Sequence, residues 1–341
     1  MASASRSVQT VLGRVPVAEL GVTLMHEHLF IAFDGVQFDP TATMDRGQVI
    51  EECVKRLRAL KEAGVDTFVD PCPIELGRDV TLMAEVSERS GVHVICATGF
   101  YYEQMGLPPY WRMRTVEEIA ALLIGEIERG IGNSRIRAGI IKCATGMPEI
   151  TPQEKKFLAA ASIAHHATGV PILTHIQMGL LGPEQQEEFA RHGVPMHRCL
   201  IGHCCNNPDP DYHRRIVERG TYIGFDRVGN EHYHPDTLRA DNVVKLKAAG
   251  FLAQLMLSQD RFCVWQGSHY LQLPAAEEAQ RLRMLSEGQW PPHHTHIITH
   301  FLPMLRERGV TDGEVHLLMT ENPRRFFEGG ALPAPAPLAA R

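Results

Sequence analysis

The sequence predicts an α/β protein folded as a single (β/α)8 barrel of the TIM type, with a long loop after its eighth strand. Three observations carry that expectation. Eight short apolar runs alternate with segments of helical spacing, the pattern of a parallel α/β sheet. The 341 residues suit one barrel with extended loops, since such a barrel takes roughly 250 residues. No glycine-rich phosphate loop follows the first run, which counts against the nucleotide-binding form of an open sheet. Alternation alone fits a closed barrel and an open doubly wound sheet equally. The barrel domain is expected over 1–328, and the Ala- and Pro-rich tail 329–341 is expected to be disordered.

The first strand is read over 21–30. Helical spacing of Val49, Cys53, Leu57 and Leu60 predicts a helix over 45–63, stopped at Gly64. The β-branched run 65–70, closed by Pro71, is the second strand and 78–90 the second helix. The third strand covers 92–98 and ends at Gly99. Thr115 and Glu118 stand in capping-box register at the head of a helix over 115–129, which turns Val116, Ile119, Leu122 and Leu123 inward. Strand 138–142 precedes helix 151–168, with Pro152 in its first turn. Strands 171–175, 199–203 and 222–226 precede helices 183–192, 209–218 and 235–249. Strand 255–260 is the eighth. Over 261–292 periodicity fails among Gly, Ser, Pro and aromatics, which reads as a loop long enough to cover a pocket. The closing helix is expected over 294–308.

Composition excludes several classes of function. Apolar residues at 44% and charged residues at 22% are ordinary for a soluble globular chain. The formal net charge of −6, without a sustained basic run, makes nucleic acid and anionic membrane poor partners. No apolar run is long enough to span a membrane, and 1–20 lacks the apolar core of a signal peptide. Eight cysteines are too few for a disulfide framework, and Cys96, Cys143, Cys199 and Cys204 sit in strand-like runs. A reduced, cytoplasmic setting is expected.

Barrel enzymes place their chemistry where strands end. The first strand ends His26-Glu27-His28, and strand alternation points both histidines one way. The fourth strand ends in Lys142, the fifth in His175, the sixth in His203 and the eighth in Asp260. Singly, each has an ordinary reading: a hydrogen-bonded histidine, a solvated lysine, an aspartate capping the next segment. Jointly, six polar residues on five strand ends form one candidate metal site. A further cluster, His293, His294, His296 and His300, has no carboxylate or cysteine evident nearby and reads as structural.

The chain resembles the phosphotriesterase family of the amidohydrolase superfamily, most closely its phosphotriesterase-like lactonases. The likeness runs from about Gly21 to Phe327 and rests on Gly21-Val-Thr-Leu-Met-His-Glu-His28, Gly139-Ile-Ile-Lys142, Pro171-Ile-Leu-Thr-His175, Ile201-Gly-His203, Phe225-Asp-Arg227, Leu257-Ser-Gln-Asp260 and Glu321-Asn-Pro323. The resemblance implies two divalent metal ions, zinc first, with cobalt, manganese or iron also compatible. His26, His28 and Asp260 would hold the buried ion, and His175 and His203 the exposed one. Lys142 would bridge them as a carboxylated lysine, since an ammonium has no lone pair to offer. A hydroxide bridging the ions would attack an ester carbonyl, with Asp260 taking its proton.

Tyr101 and Arg227 match residues of the lactonase branch, Tyr101 as a donor to the developing oxyanion. The ordinary readings are a pocket-wall aromatic for Tyr101, and for Arg227 a salt bridge to Asp226 or Glu231. Cys263, Val264, Trp265, Tyr270 and Leu271 would line an apolar pocket or pack on the barrel rim. Two departures stand out: Asn206 where many relatives carry a proton-relaying aspartate, and Gln259 where they often carry histidine. The expected activity is that of a lactonase with promiscuous organophosphate triester hydrolysis, acting on a small-molecule ester as a homodimer. A true phosphotriesterase, an N-acyl amide hydrolase and a non-catalytic ligand-binding barrel are the alternatives.

Overall fold

The computed structural model describes residues 6–267 and 293–333, with the isolated positions 279, 283, 284 and 287. A hairpin of β1 (Ser7–Thr10) and β2 (Gly13–Pro16) precedes the barrel. The first barrel strand comes in two pieces, β3 (Thr23–Leu24) and β4 (His28–Ala32). There follow β5 (Thr67–Asp70), β6 (His93–Gly99), β7 (Ile140–Thr145), β8 (Ile172–Ile176), β9 (Cys199–Ile201), β10 (Tyr222–Phe225) and β11 (Leu255–Leu257). Together β3 and β5 to β11 form one parallel eight-stranded sheet in sequential order. An open doubly wound sheet reverses its strand order at a switch point, and this one does not.

The barrel seam joins the first and eighth strands. A further strand, β12 (Phe262–Gln266), pairs in parallel with β4, Phe262 opposite His28. Just before it, the Asp260 N–H donates to the His26 carbonyl at 2.9 Å and the His28 N–H to the Arg261 carbonyl at 2.7 Å. The segment Phe262–Gln266, within the stretch 261–292 expected as loop, is therefore strand, because its unpaired backbone groups find partners on β4. Tyr270 and Leu271 lie outside the described residues, as does the expected tail from 334 onward.

The helices α1 (Arg46–Glu62), α2 (Val80–Ser90), α3 (Pro109–Arg112), α4 (Val116–Glu128), α5 (Pro152–Thr168), α6 (Gly182–Arg191), α7 (Pro210–Glu218) and α8 (Asp236–Ala248) connect the strands. Their starts follow local chemistry. The Asp45 carboxylate accepts from the Gly47 and Gln48 amides, and Thr115 with Glu118 and Thr151 with Glu154 close full capping boxes. The closing segment departs from expectation. A π-helical turn at Ile297–Phe301 leads into α9 (Leu302–Glu307), then α10 (Asp312–His316), a second π turn at Leu317–Glu321 and α11 (Asn322–Glu328).

Strand alternation builds two apolar layers. Ile141, Ile172, Ile201 and Ile223 face the helices, whereas Ile140, Leu173, Leu200, Tyr222 and Met256 fill the barrel interior. Val8 and Val17 of the N-terminal segment and Phe326 of α11 close that interior layer. In β3 and its continuation, Leu24 faces the helices and Met25 the interior. The break between β3 and β4 is where the chain leaves regular strand geometry, and the site begins there. Among the described residues no helix is long and apolar enough to cross a membrane.

Candidate metal centre

His26 enters the site from the break between β3 and β4, and His28 from the first position of β4. Lys142 projects from β7 and His175 from β8, whereas His203 follows β9 and Asp260 follows β11. Lys142 does not end its strand as expected: it is third in β7, which runs on to Thr145, whereas His175 is next to last in β8. All six are buried except Asp260, which is partly exposed. Asp260 Oδ1 stands 3.2 Å from His28 Nε2 and 3.6 Å from His26 Nε2. Its Oδ2 is 3.8 Å from His203 Nε2. Lys142 Nζ is 3.1 Å from His26 Nε2. The His175 ring packs edge-on against His203 with centroids 4.4 Å apart, its Nε2 2.9 Å from the Gln177 side-chain oxygen. His26, His28 and Asp260 thus present three ligand atoms within one ion's reach. His175 reaches that group only through His203, whose ring packs on His26 with centroids 4.7 Å apart, and its own nitrogens are turned to Gln177 and Tyr101.

Two carboxylates hold the imidazoles from behind. Asp226 Oδ2 accepts from His26 Nδ1 at 2.9 Å, and its Oδ1 accepts from His203 Nδ1 at 3.0 Å and the His203 amide at 2.7 Å. Asp70 meets His28 Nδ1 at 3.2 Å and is itself held by the Leu29 and Cys72 amides. A carboxylate only accepts, so each Nδ1 carries the proton; Nε2 of His26 and of His203 thereby keeps its lone pair, while His28 Nε2 faces Asp260. Space for Asp226 is made by glycine: a Cβ on Gly202 would come within 2.9 Å, and one on Gly224 within 2.8 Å, of its Oδ2. Sequence reading weighed Asp226 only as a partner for Arg227 and did not single out Asp70. Both end barrel strands, the criterion that found the other candidates.

Electrostatics favour cations here. Burial pushes His26 down to about 3, helped by the Lys142 charge, and lowers His175 and His203 as well. Burial would also lower His28, but hydrogen bonds to Asp260 and Asp70 raise it well above its ordinary value. Burial acting alone would raise Asp226 and Asp260; the charges around them, His203 foremost, hold both well below the usual carboxylate range. The carboxylates thus draw a proton to the gap between His28 and Asp260, where a metal ion would take its place. That gap, the converging Nε2 atoms and the buried lysine fit divalent ions bound by imidazole and carboxylate. His203 and Asp260 also adopt left-handed backbone, at φ 59° and 51°. Such conformations cost about 1–3 kcal/mol in non-glycine residues and persist where surrounding structure imposes them.

The remaining candidates take distinct places. The Tyr101 hydroxyl lies 3.4 Å from His175 Nδ1, and its backbone amide donates to Glu75 at 2.7 Å. Arg227 does not bridge to Asp226. Its Nε donates to Asp260 Oδ2 at 2.9 Å and its guanidinium lies 4.7 Å from the Tyr233 ring centre. Trp265 on β12 packs between Phe33 and Phe262, each centroid 5.3 Å away. Cys263, expected to line a pocket, is buried in the outer core, its thiol against Cys53 of α1. Strand alternation along β12 sends it there. Asn206 is buried, with neither side-chain atom hydrogen-bonded among the described residues. Gln259 donates to the His294 carbonyl and accepts from the Ile297 amide at 3.0 Å. His296 stacks on His300 and pairs with Asp236 at 2.8 Å. The C-terminal histidines lie outside the convergent ligand groups found among the described residues.

A barrel that gathers four imidazoles, a lysine and a carboxylate at its C-terminal mouth carries the ligand types of the two-metal hydrolases. The chain belongs to the phosphotriesterase family, whose model matches residues 6–327. It is 35% identical over 331 residues to a phosphotriesterase homology protein of Mycobacterium tuberculosis, covering 94% of this chain and 97% of that one. An aryldialkylphosphatase of Saccharolobus solfataricus is 31% identical over 312 residues, 91% of this chain and 95% of that protein. A variant of a PTE-like lactonase from Deinococcus radiodurans superposes with a TM-score of 0.86 at 37% identity, covering 94% of this chain and 99% of that one. The protein is therefore a metal-dependent hydrolase of this family.

Proposed function

We propose that the protein is a lactonase that opens the ring of a fairly apolar lactone and hydrolyses organophosphate triesters as a slower side reaction. The observation that carries this reading is Tyr101, whose hydroxyl stands 3.4 Å from His175 Nδ1 at the edge of the ligand set. From there a phenol donates to a carbonyl oxygen as charge develops on it. Arg227 Nη1, buried and without a hydrogen-bond partner among the described residues, offers a second donor beside Asp260.

His26, His28 and Asp260 would hold one divalent ion and His175 and His203 the other, zinc being the first choice. Bound there, the ions supply Lewis acidity and a water acidic enough to react near neutral pH. Lys142 would bridge them as a carbamate. Burial brings its amine down to about 8, so a neutral amine that can add CO2 is accessible. As a free amine, Nζ competes for the His26 Nε2 lone pair at 3.1 Å; carboxylation removes that conflict. Asp260 accepts the proton released by the attacking water and passes it toward the leaving alkoxide. Trp265 contributes an apolar wall at the seam. The protein would work in the cytoplasm as a homodimer, with no nucleic-acid or membrane partner.

The test is metal content per chain with rates on a lactone panel and on paraoxon, for wild type and Tyr101→Phe. Two ions, and a lactone rate that exceeds the paraoxon rate and falls selectively in the variant, are expected. Preference for paraoxon with Tyr101→Phe neutral would replace this reading with a true phosphotriesterase, which the aryldialkylphosphatase likeness supports as the second candidate.

A further inference from the structure

Between the two histidines of the first strand, Glu27 is fully buried and points away from them, into the seam. Its Oε1 accepts from the Ser258 hydroxyl at 2.8 Å and the Gln259 amide at 2.7 Å, and its Oε2 accepts from the Arg261 amide at 3.1 Å. These three donors flank Asp260 on both sides. Ser258 Oγ in turn accepts from the His26 amide at 2.9 Å. Regular pairing is interrupted here, since β3 ends at Leu24 and β4 starts at His28, while β11 ends at Leu257 and β12 starts at Phe262. The Asp260 N–H to the His26 carbonyl and the His28 N–H to the Arg261 carbonyl are the backbone bonds that cross this stretch, and the Glu27 carboxylate adds three more bonds beside them, on both sides of Asp260.

We infer that Glu27 is a positioning residue for the metal centre: its carboxylate locks the 258–261 backbone so that Asp260, in its left-handed conformation, meets His26 and His28. The physical argument is one of satisfied donors. Three donors converge on two carboxylate oxygens, and none of them has to be found by regular strand pairing. An amide in place of the carboxylate keeps the shape but turns an N–H against at least one of those donors. The backbone strain at Asp260 then loses part of what imposes it, and the ligand drifts from the two imidazoles. The His175 and His203 side of the centre receives nothing from Glu27 directly.

This inference rests on the two-metal reading above, and its test separates the two. Wild type, Glu27→Gln and Ser258→Ala are loaded with Co2+, and visible absorption and metal content are followed against rising dipicolinate. Wild type should hold two ions. Glu27→Gln should keep one firmly and release the other at roughly ten- to hundredfold lower chelator, the usual cost of losing an outer hydrogen-bond partner. Ser258→Ala, which loses one arm of the clamp, should shift the same ion by less. Selective loss distinguishes positioning from general weakening, which would release both ions with a parallel drop in Tm. Parallel release, or wild-type retention of both ions in Glu27→Gln, overturns the inference while leaving the two-metal reading intact. If Glu27→Gln does not fold, the Ser258→Ala shift decides by the same criterion. A wild type that binds no Co2+ overturns both.

Discussion

Replacing Asp226 by asparagine exchanges one oxygen for an N–H2 in a group that serves two imidazoles at once. The carboxylate accepts three hydrogen bonds: from the His203 amide at 2.7 Å, from His203 Nδ1 at 3.0 Å and from His26 Nδ1 at 2.9 Å. An asparagine oxygen does best by keeping the two bonds to His203, which turns the amide nitrogen toward His26. A donor then faces a donor, and His26 can relieve it only by moving its proton to Nε2. That tautomer has no lone pair to give a metal. The expected loss is therefore lopsided, falling on the ion held with His26 by about ten- to hundredfold in affinity. Converted at 1.4 kcal/mol per factor of ten, that is roughly 1.4–2.8 kcal/mol. The metal-free protein should also lose about 1.5–3 kcal/mol for the lost charge-assisted bond. Calorimetric titration of the metal-free protein with Zn2+, beside urea unfolding, reads both. Two sites of unchanged affinity in Asp226→Asn would refute the argument that this carboxylate sets the tautomers.

Two further predictions concern stability. Arg78 and Glu126 form a buried bidentate pair at 2.6 and 2.7 Å between the start of α2 and α4, and Arg78 also donates to the Ala97 carbonyl at 2.8 Å. Glu126→Ala strands a buried guanidinium and should cost about 3–5 kcal/mol in urea unfolding; a cost below 1 kcal/mol would mean water reaches the pair. His213 is buried, its ring Nε2 2.9 Å from the Cys204 carbonyl, and burial lowers its pKa below the ordinary 6.5. A base held neutral by the fold contributes stability that is complete above 6.5 and is lost as pH falls through it, by up to about 1.4 kcal/mol per pH unit. His213→Gln, which keeps a donor but cannot titrate, should flatten the decline between pH 6.5 and 5.5. Parallel wild-type and variant curves would exclude His213 as a contributor.

Much of the fold was legible because local physics repeats. Helix starts at Asp45, Thr115 and Thr151 follow capping chemistry that needs only neighbours in the chain. The runs read as strands over 138–142 and 171–175 show apolar residues bound for two layers before a polar residue, although the strands themselves are Ile140–Thr145 and Ile172–Ile176. The strand at 262–266 was not legible, because β12 exists through its partner β4, more than two hundred residues away. The closing helix expected over 294–308 is present as a helical run to Glu307, but its π turn at Ile297–Phe301, which a 3.6-residue period does not anticipate, and the helices after it from Asp312 to Glu328 were not legible.

For the centre itself, the sequence alone determined which side chains are offered and by which strand runs: His26, His28, Lys142, His175, His203 and Asp260. Residue type and strand periodicity are local properties, so they can be read along the chain. Tertiary structure decided the rest. It brought Asp226 and Asp70 behind the imidazoles, moved Arg227 onto Asp260, withdrew Cys263 into the core and put Glu27 across the seam. Each of these depends on which strands become neighbours when the sheet closes, and closure joins residues that no local pattern relates.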